Sequence, residues 1–337
     1  TFRVDGGGYL PSGSEQVFVV PAHGGTPRQM TSSNFPISSA ITWSPDSQSI
    51  IFSSNRRDDA EYHPRQSDLF GIALLTGQIT QITNTAGPEG HPVVSPNGRY
   101  LAYTQTADIR QGYNGAKLTI RDLTTGESRA LTTDLDRSVS DIQWSKDSKS
   151  LWISYTDLGM TRVAKIDLTG KRRQTNIVVG GTAIGRPYTS GSFSIGGKGR
   201  LAYTLGRDDR PADVALMRPG RTPLKLTDLN GDLMGQRQMT GAERITWPSS
   251  HDAMMIEGWV MKPPGFDPAK TYPMILEIHG GPHSAYGPNY STEAQLFAAA
   301  GYVVLYTNPR GSTSYGEQFA NEIDLAYPGF DYDDLIS

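Results

Sequence analysis

A mainly β chain, made of repeated four-stranded units and ending in an α/β segment, is predicted from three observations. A motif recurs about every fifty residues through the first two thirds of the chain. Glycine and proline, 37 and 22 of 337 residues, exceed ordinary usage and point to many turns rather than long helices. The repeat stops after Gly241, where strand and helix patterns begin to alternate. A chain of this length divides into about two folding units at ~150 residues each.

The repeat begins with Trp43-Ser44-Pro45-Asp46-Ser47, returns as Val94-Ser95-Pro96-Asn97-Gly98 and Trp144-Ser145-Lys146-Asp147-Ser148, and degenerates to Phe193-Ser194-Ile195-Gly196-Gly197. Each copy precedes an apolar run: Ile50-Ile51-Phe52, Tyr100 to Tyr103, Leu151-Trp152-Ile153 and Leu201-Ala202-Tyr203. Further strand patterns follow in Asp68 to Leu74, Leu118 to Leu123 and Arg162 to Leu168, each ending at a Thr-Gly turn. Closing strands are expected at Gln78 to Thr83, Ser128 to Thr132 and Leu224 to Thr227. Four short strands separated by Gly, Asn, Asp and Ser describe a meander, the unit of a propeller blade. The Ser-Pro-Asp-Ser type sequences suit tight turns, because proline presets φ and Asp or Asn bonds nearby backbone. Trp43, Trp144 and Phe193 are expected between neighbouring blades rather than against a ligand. Gln16 to Val20 and Pro27 to Thr31 read as the last two strands of a partial blade. Closed propellers have about 4–8 blades, so further blades are expected upstream of Thr1.

Several function classes are disfavoured. Lys plus Arg number 31 against 34 Asp plus Glu, a net charge of −3, which leaves no basic excess for nucleic acid. No run approaches the ~18 apolar residues of a membrane span, and residues 1–8 carry no pattern of a signal peptide or lipid anchor. The absence of cysteine removes disulfides, thiolate zinc sites, iron–sulfur clusters and a cysteine nucleophile, without fixing a compartment.

After Gly241 the grammar changes. Arg244 to Trp247 and Ala253 to Met261 read as strands, followed by a proline-rich loop over 262–268. Met274 to His279 and Tyr302 to Thr307 are apolar strands around a helix at Ser291 to Ala300, capped by Ser291, with Glu293 in its first turn and Gly301 beyond its end. Strand, glycine-rich loop, helix and strand open a parallel sheet. The loop is His279-Gly280-Gly281-Pro282-His283. In α/β-hydrolases a loop of this type offers backbone N–H groups to an acyl oxyanion, with glycine letting the backbone come close; the bland alternative is a tight turn. His279 and His283 have the spacing of a metal pair, but Gly-Gly-Pro cannot hold a regular helical turn between them, so no metal is expected. Arg310, after the second strand, could anchor a substrate carboxylate, although holding its own loop together is the favoured role. Asp331, Asp333 and Asp334 read as the solvated start of a helix.

With these stretches in view, the sequence resembles the prolyl oligopeptidase family of serine peptidases, in its acylaminoacyl-peptidase and dipeptidyl-peptidase 5-like branch. The likeness is carried by Tyr272 to His283, Gly301 to Gly316 and Asp331 to Leu335, and more loosely by TolB-like blades. It implies a partial β-propeller of about four to five blades over residues 1–243, followed by the first part of an α/β-hydrolase domain over 244–337. It also implies that Gly281 donates an oxyanion N–H, with Gly280 beside it and His279 where some relatives place an oxyanion tyrosine. The implied reaction uses no cofactor: a serine acyl-enzyme cleaves short peptides, and the propeller restricts access. The polar stretch Asn55 to Glu61 is a candidate for holding the peptide N-terminus, a solvated loop being the simpler reading. No serine stands in a G-x-S-x-G setting, and the 94 residues from Arg244 are short for the family's catalytic domain. The chain is therefore expected to be a fragment, inactive alone, with nucleophile, aspartate and histidine beyond Ser337. Its expected partner is a short peptide; self-association and pairing with the missing C-terminal part are left open, and neither nucleic acid nor membrane is expected. A propeller binding module for a protein partner and a carboxylesterase of the same fold are the alternatives.

Overall fold

The computed structural model describes residues 2–3, 8–9, 13–37 and 40–337. Part of the opening stretch searched for targeting signals, residues 1 and 4–7, lies outside them. The chain forms two compact units, one of Thr1–Asp108 with Leu118–Ala130 and the other of Ile109–Lys117 with Leu131–Ser337.

In the first unit a short hairpin, Phe18–Val19 with Arg28–Gln29, is the expected pair of partial-blade strands. A four-stranded meander follows at Thr42–Trp43, Ser49–Ser54, Asp68–Ala73 and Ile79–Gln81, and a second at Glu89–Val94, Tyr100–Gln105, Lys117–Asp122 and Ser128–Ala130. Val17, Ile37, Ile50, Phe52, Phe70 and Ile72 pack the hairpin against the first meander. Ile51 and Leu69 meet Leu101 and Tyr103 of the second. Side chains of this size contribute roughly 1.5–3 kcal/mol each on full burial.

The second unit holds two more meanders. One comprises Val139–Trp144, Ser150–Asp157, Met160–Asp167 and Arg172–Val179; the other comprises Phe193–Gly196, Arg200–Leu205, Asp213–Met217 and Leu224–Lys225. The strand Arg172–Val179 has no counterpart in the sequence reading, because its first half, Arg-Arg-Gln-Thr, has no apolar alternation. Phe193 packs between the two meanders, against Trp152, Val163 and Val179 on one side and Leu201 and Tyr203 on the other. Trp144 is also buried, but Trp43 is a correction: in a strand of only two residues, it is 49% exposed.

The repeated tetrapeptides form the turns expected of them. Asp46, Asn97 and Asp147 each use Oδ1 to accept from the serine hydroxyl two residues back, at 2.6–2.7 Å. The same oxygens accept from the N–H groups of Gln48, Arg99 and Lys149. Ser47, Gly98 and Ser148 then occupy the left-handed region, with φ of 58°, 73° and 58°.

A separate sheet begins at Ala242. Its order is Ala242–Pro248, Met255–Met261, Val303–Asn308, Met274–Ile278. The last two strands are parallel, with Met274 opposite Val303, as a strand–loop–helix–strand pattern requires. The intervening helix is Thr292–Ala299; the Ser291 hydroxyl accepts from the Ala294 N–H, and Gly301 follows at φ 95°. The described residues are thus mainly β: two short hairpins, the first pairing Phe2–Arg3 with Gly8–Tyr9, and four blades of a partial β-propeller, followed by the first part of an α/β-hydrolase domain.

Candidate active site

Strand Met274–Ile278 ends in the edge of the sheet, and the chain leaves it through His279, Gly280 and Gly281. Both glycines are exposed. Among the described residues neither N–H donates a hydrogen bond. Gly281 lies at φ 136°, where a Cβ would sit 3.2 Å from that of Ser284, so glycine is required by conformation as well as by approach. The exposed amides flank a buried side chain: the His279 ring is enclosed by Tyr188 and Tyr286, and its Nε2 is 2.9 Å from Ser312 Oγ. Burial holds this imidazole below the ordinary histidine range, favouring the neutral ring.

The loop is held by the segment that follows strand Val303–Asn308. His283 Nδ1 donates to the Gly311 carbonyl at 3.1 Å, and the Thr313 N–H donates to the Ser284 carbonyl at 2.8 Å. Asn308 brackets Tyr286, accepting from its N–H at 2.8 Å and donating to its carbonyl at 3.0 Å. The same amide donates to Tyr315 Oη, whose hydroxyl donates to the buried Glu257; Arg244 is the ion-pair partner of that carboxylate. Residues 308–313 therefore touch positions 279, 283, 284 and 286, along the whole course of the loop.

The third blade reaches the same place. Its central hairpin turns at Leu158 and Gly159, both with positive φ, the arrangement of a tight two-residue hairpin turn. Their N–H groups donate to the carbonyl and hydroxyl of Ser314, at 3.0 and 2.8 Å. Ser314 itself has φ 82°, a strained value for a residue with a side chain, held by these two bonds. A Cβ on Gly159 would lie 2.4 Å from the Trp259 ring, so only glycine permits the contact. Beyond the loop, the linker from the third to the fourth blade runs alongside residues 285–291, pairing Thr182 with Tyr290 and Ala183 with Ser291. The Thr189 N–H donates to the Ala285 carbonyl and Asn289 Nδ2 to that of Tyr188.

Arg310 is not directed at an open cleft. Its side chain is 2% exposed, and the guanidinium is committed to Asp334, Asp252 and the Ser249 hydroxyl, with the Arg310 N–H also donating to Asp334. This is the geometry of a loop anchor. Paired carboxylates push the guanidinium pKa further up, so its charge is permanent. The helix expected near Asp331 forms at Asp331–Ile336, but Asp334 is fully buried. The expectation of three solvated aspartates is corrected there, because Asp334 faces the arginine. The sequence reading placed Gly280, Gly281 and His279 together and missed Ser312, Gly311, Thr313 and Asn308 as their supports. The available signal was the polar run Asn308 to Ser314 directly after an apolar strand.

Two family descriptions match separate stretches of this chain. The N-terminal region of dipeptidyl peptidase IV matches residues 9–109, and the prolyl oligopeptidase family matches residues 288–337. An uncharacterized peptidase, YuxL, of Bacillus subtilis strain 168 is 30% identical over 95% of this chain and 62% of its own length. Dipeptidyl-peptidase 5 of Porphyromonas gingivalis is 27% identical over 88% of this chain and 43% of its own. Dipeptidyl-peptidase 5 of Aspergillus fumigatus is 30% identical over 74% and 34%. The chain thus spans between a third and just under two thirds of these relatives. In fold it is similar to Pyrococcus horikoshii acylaminoacyl peptidase, with a TM-score of 0.76 at 21% identity, covering 97% of this chain and 50% of that one. A puromycin-hydrolyzing peptidase of Mycobacterium tuberculosis aligns with a TM-score of 0.62 at 16% identity, over 92% and 56%. The chain is thus similar to the prolyl oligopeptidase family over residues 288–337 and to the dipeptidyl peptidase IV N-terminal region over residues 9–109, and its relatives are named as peptidases of these kinds.

Proposed function

We propose that this chain is part of a serine peptidase of dipeptidyl or acylaminoacyl type, in which the Gly281 N–H, with Gly280 beside it, stabilises the oxyanion of a serine acyl-enzyme reaction. The observation that carries this reading is a pair of exposed glycine amides without partners among the described residues, on a loop fixed at four points by residues 308–313. Preorganised donors of this kind lower the barrier because they need no rearrangement as charge develops on the acyl oxygen. His279 serves as a buried support for the loop, and Arg310 as an anchor rather than a substrate ligand. In this reading residues 1–243 are the propeller, which limits substrates to short peptides, and 244–337 open the catalytic domain. The nucleophile, aspartate and histidine are supplied by sequence outside this chain, which is inactive alone.

A protein spanning the relatives' full length should be labelled by a fluorophosphonate, and this chain alone should not. Absence of labelling in the longer protein would overturn the serine mechanism. Comparing an acylated peptide, a dipeptidyl amide and a simple ester as substrates separates peptidase from esterase.

A further inference from the structure

We infer that Ser312 is the positioning residue of this loop, fixing the His279 ring as its Nε2–H tautomer and, through that ring, the Gly280–Gly281 peptide. Ser312 is 1% exposed, and its Oγ lies 2.6 Å from the Pro309 carbonyl and 2.9 Å from His279 Nε2. A hydroxyl has one proton, and a carbonyl can only accept. Were that proton given to His279, two oxygens 2.6 Å apart would face each other without a hydrogen between them. With the proton on the Pro309 side, Ser312 Oγ accepts from Nε2–H, and the looser 3.3 Å approach of Nδ1 to the Gly280 carbonyl is left without a proton; the Asn308 side chain is a further polar neighbour of the ring. The shorter contact decides the arrangement, since repulsion between acceptors falls with distance.

The consequence for the loop follows from its composition. Gly280 and Gly281 have the widest backbone freedom of any residues, and neither carries a side chain to hold it. The flanking side-chain anchors are His279 and His283, pinned to Ser312 Oγ and the Gly311 carbonyl. Adjacent residues of one segment thus fix both ends of the glycine pair. Without the Ser312 contact the His279 side chain loses its hydrogen-bonded anchor, and the Cα from which the glycine pair departs is held less firmly. The catalytic importance of this support rests on the oxyanion assignment, whereas its existence does not.

The test uses the isolated chain labelled with ¹⁵N. Long-range ¹H–¹⁵N correlation at neutral pH should show His279 with a protonated Nε2 and a bare Nδ1. In Ser312→Ala, Nδ1–H should become populated, and the Gly280 and Gly281 amide peaks should shift or broaden while that of Leu201, in the fourth blade, stays in place. An Nδ1–H ring in the unsubstituted chain overturns the inference, as do glycine amides that ignore the substitution or shift no more than Leu201. Should Ser312→Ala fail to fold, the tautomer of the unsubstituted chain decides alone. Neither readout involves turnover, so an error in the oxyanion assignment leaves this result intact.

Discussion

The blade turns and the loop after strand Met274–Ile278 are built in opposite ways. In the turn Ser44 to Ser49 the fixing bonds join residues two to five positions apart, from Ser44 Oγ to Asp46 and from Gln48 and Ser49 back to Asp46 and Ser44. In the loop around Gly281 they run to residues 22 to 33 positions away, from Tyr286 to Asn308 and from His279 to Ser312. The turn is a local instruction that can be copied with each repeat. The loop is a long-range assembly whose amides stay open because other elements do the holding. A site that must leave backbone donors unpaired gains from such external support, since local partners would occupy the donors themselves.

The largest break in this comparison is expected at Arg310, which anchors the supporting segment. Arg310→Ala leaves the fully buried Asp334 without its cation, at a cost of about 3–5 kcal/mol, read as a lowered denaturation midpoint. Gly159→Ala comes next, costing about 1–3 kcal/mol because a methyl group must displace the Trp259 ring. Asp147→Ala, in a blade turn, should cost only about 0.5–1.5 kcal/mol and leave the Gly281 amide resonance unmoved. If Asp147→Ala disturbs the loop as much as Gly159→Ala does, the contrast between local and long-range support is wrong.

The smallest effect concerns pH. Burial lowers the folded-state pKa of His279, so below about pH 6.5 the unfolded chain binds a proton that the folded chain resists. Its contribution to stability is complete above that pH and is lost as the pH falls toward the folded value. The buried Glu89 acts in the opposite sense, its pKa being raised by desolvation. It is common to both proteins in a comparison of His279→Gln with the unsubstituted chain. Thermal midpoints at pH 7.5 and 5.5 should therefore fall less in His279→Gln; equal falls would contradict the buried neutral ring.

This division also explains what the sequence disclosed. The blades were readable because Ser-Pro-Asp-Ser and its variants encode their turns within five residues, followed by apolar runs of strand length. Trp43 escaped because exposure depends on what lies against a strand, which its own pattern does not state. The glycine pair was visible as Gly280-Gly281 after an apolar strand, and the cap at Ser291 as a serine before a helical run. Ser312 and Asn308 were not readable as supports, since their partners lie a helix and a strand earlier in the chain. Asp334 looked solvated for the same reason: only the fold brings Arg310 to it.

The most direct test of the central claim is a structure of the full-length protein carrying a peptidyl boronate on its nucleophile. The account predicts the tetrahedral oxygen about 2.7–3.1 Å from the Gly281 nitrogen, with His279 still bonded to Ser312. An adduct whose oxygen is held by other donors, with the Gly281 N–H turned away from it, would contradict the account.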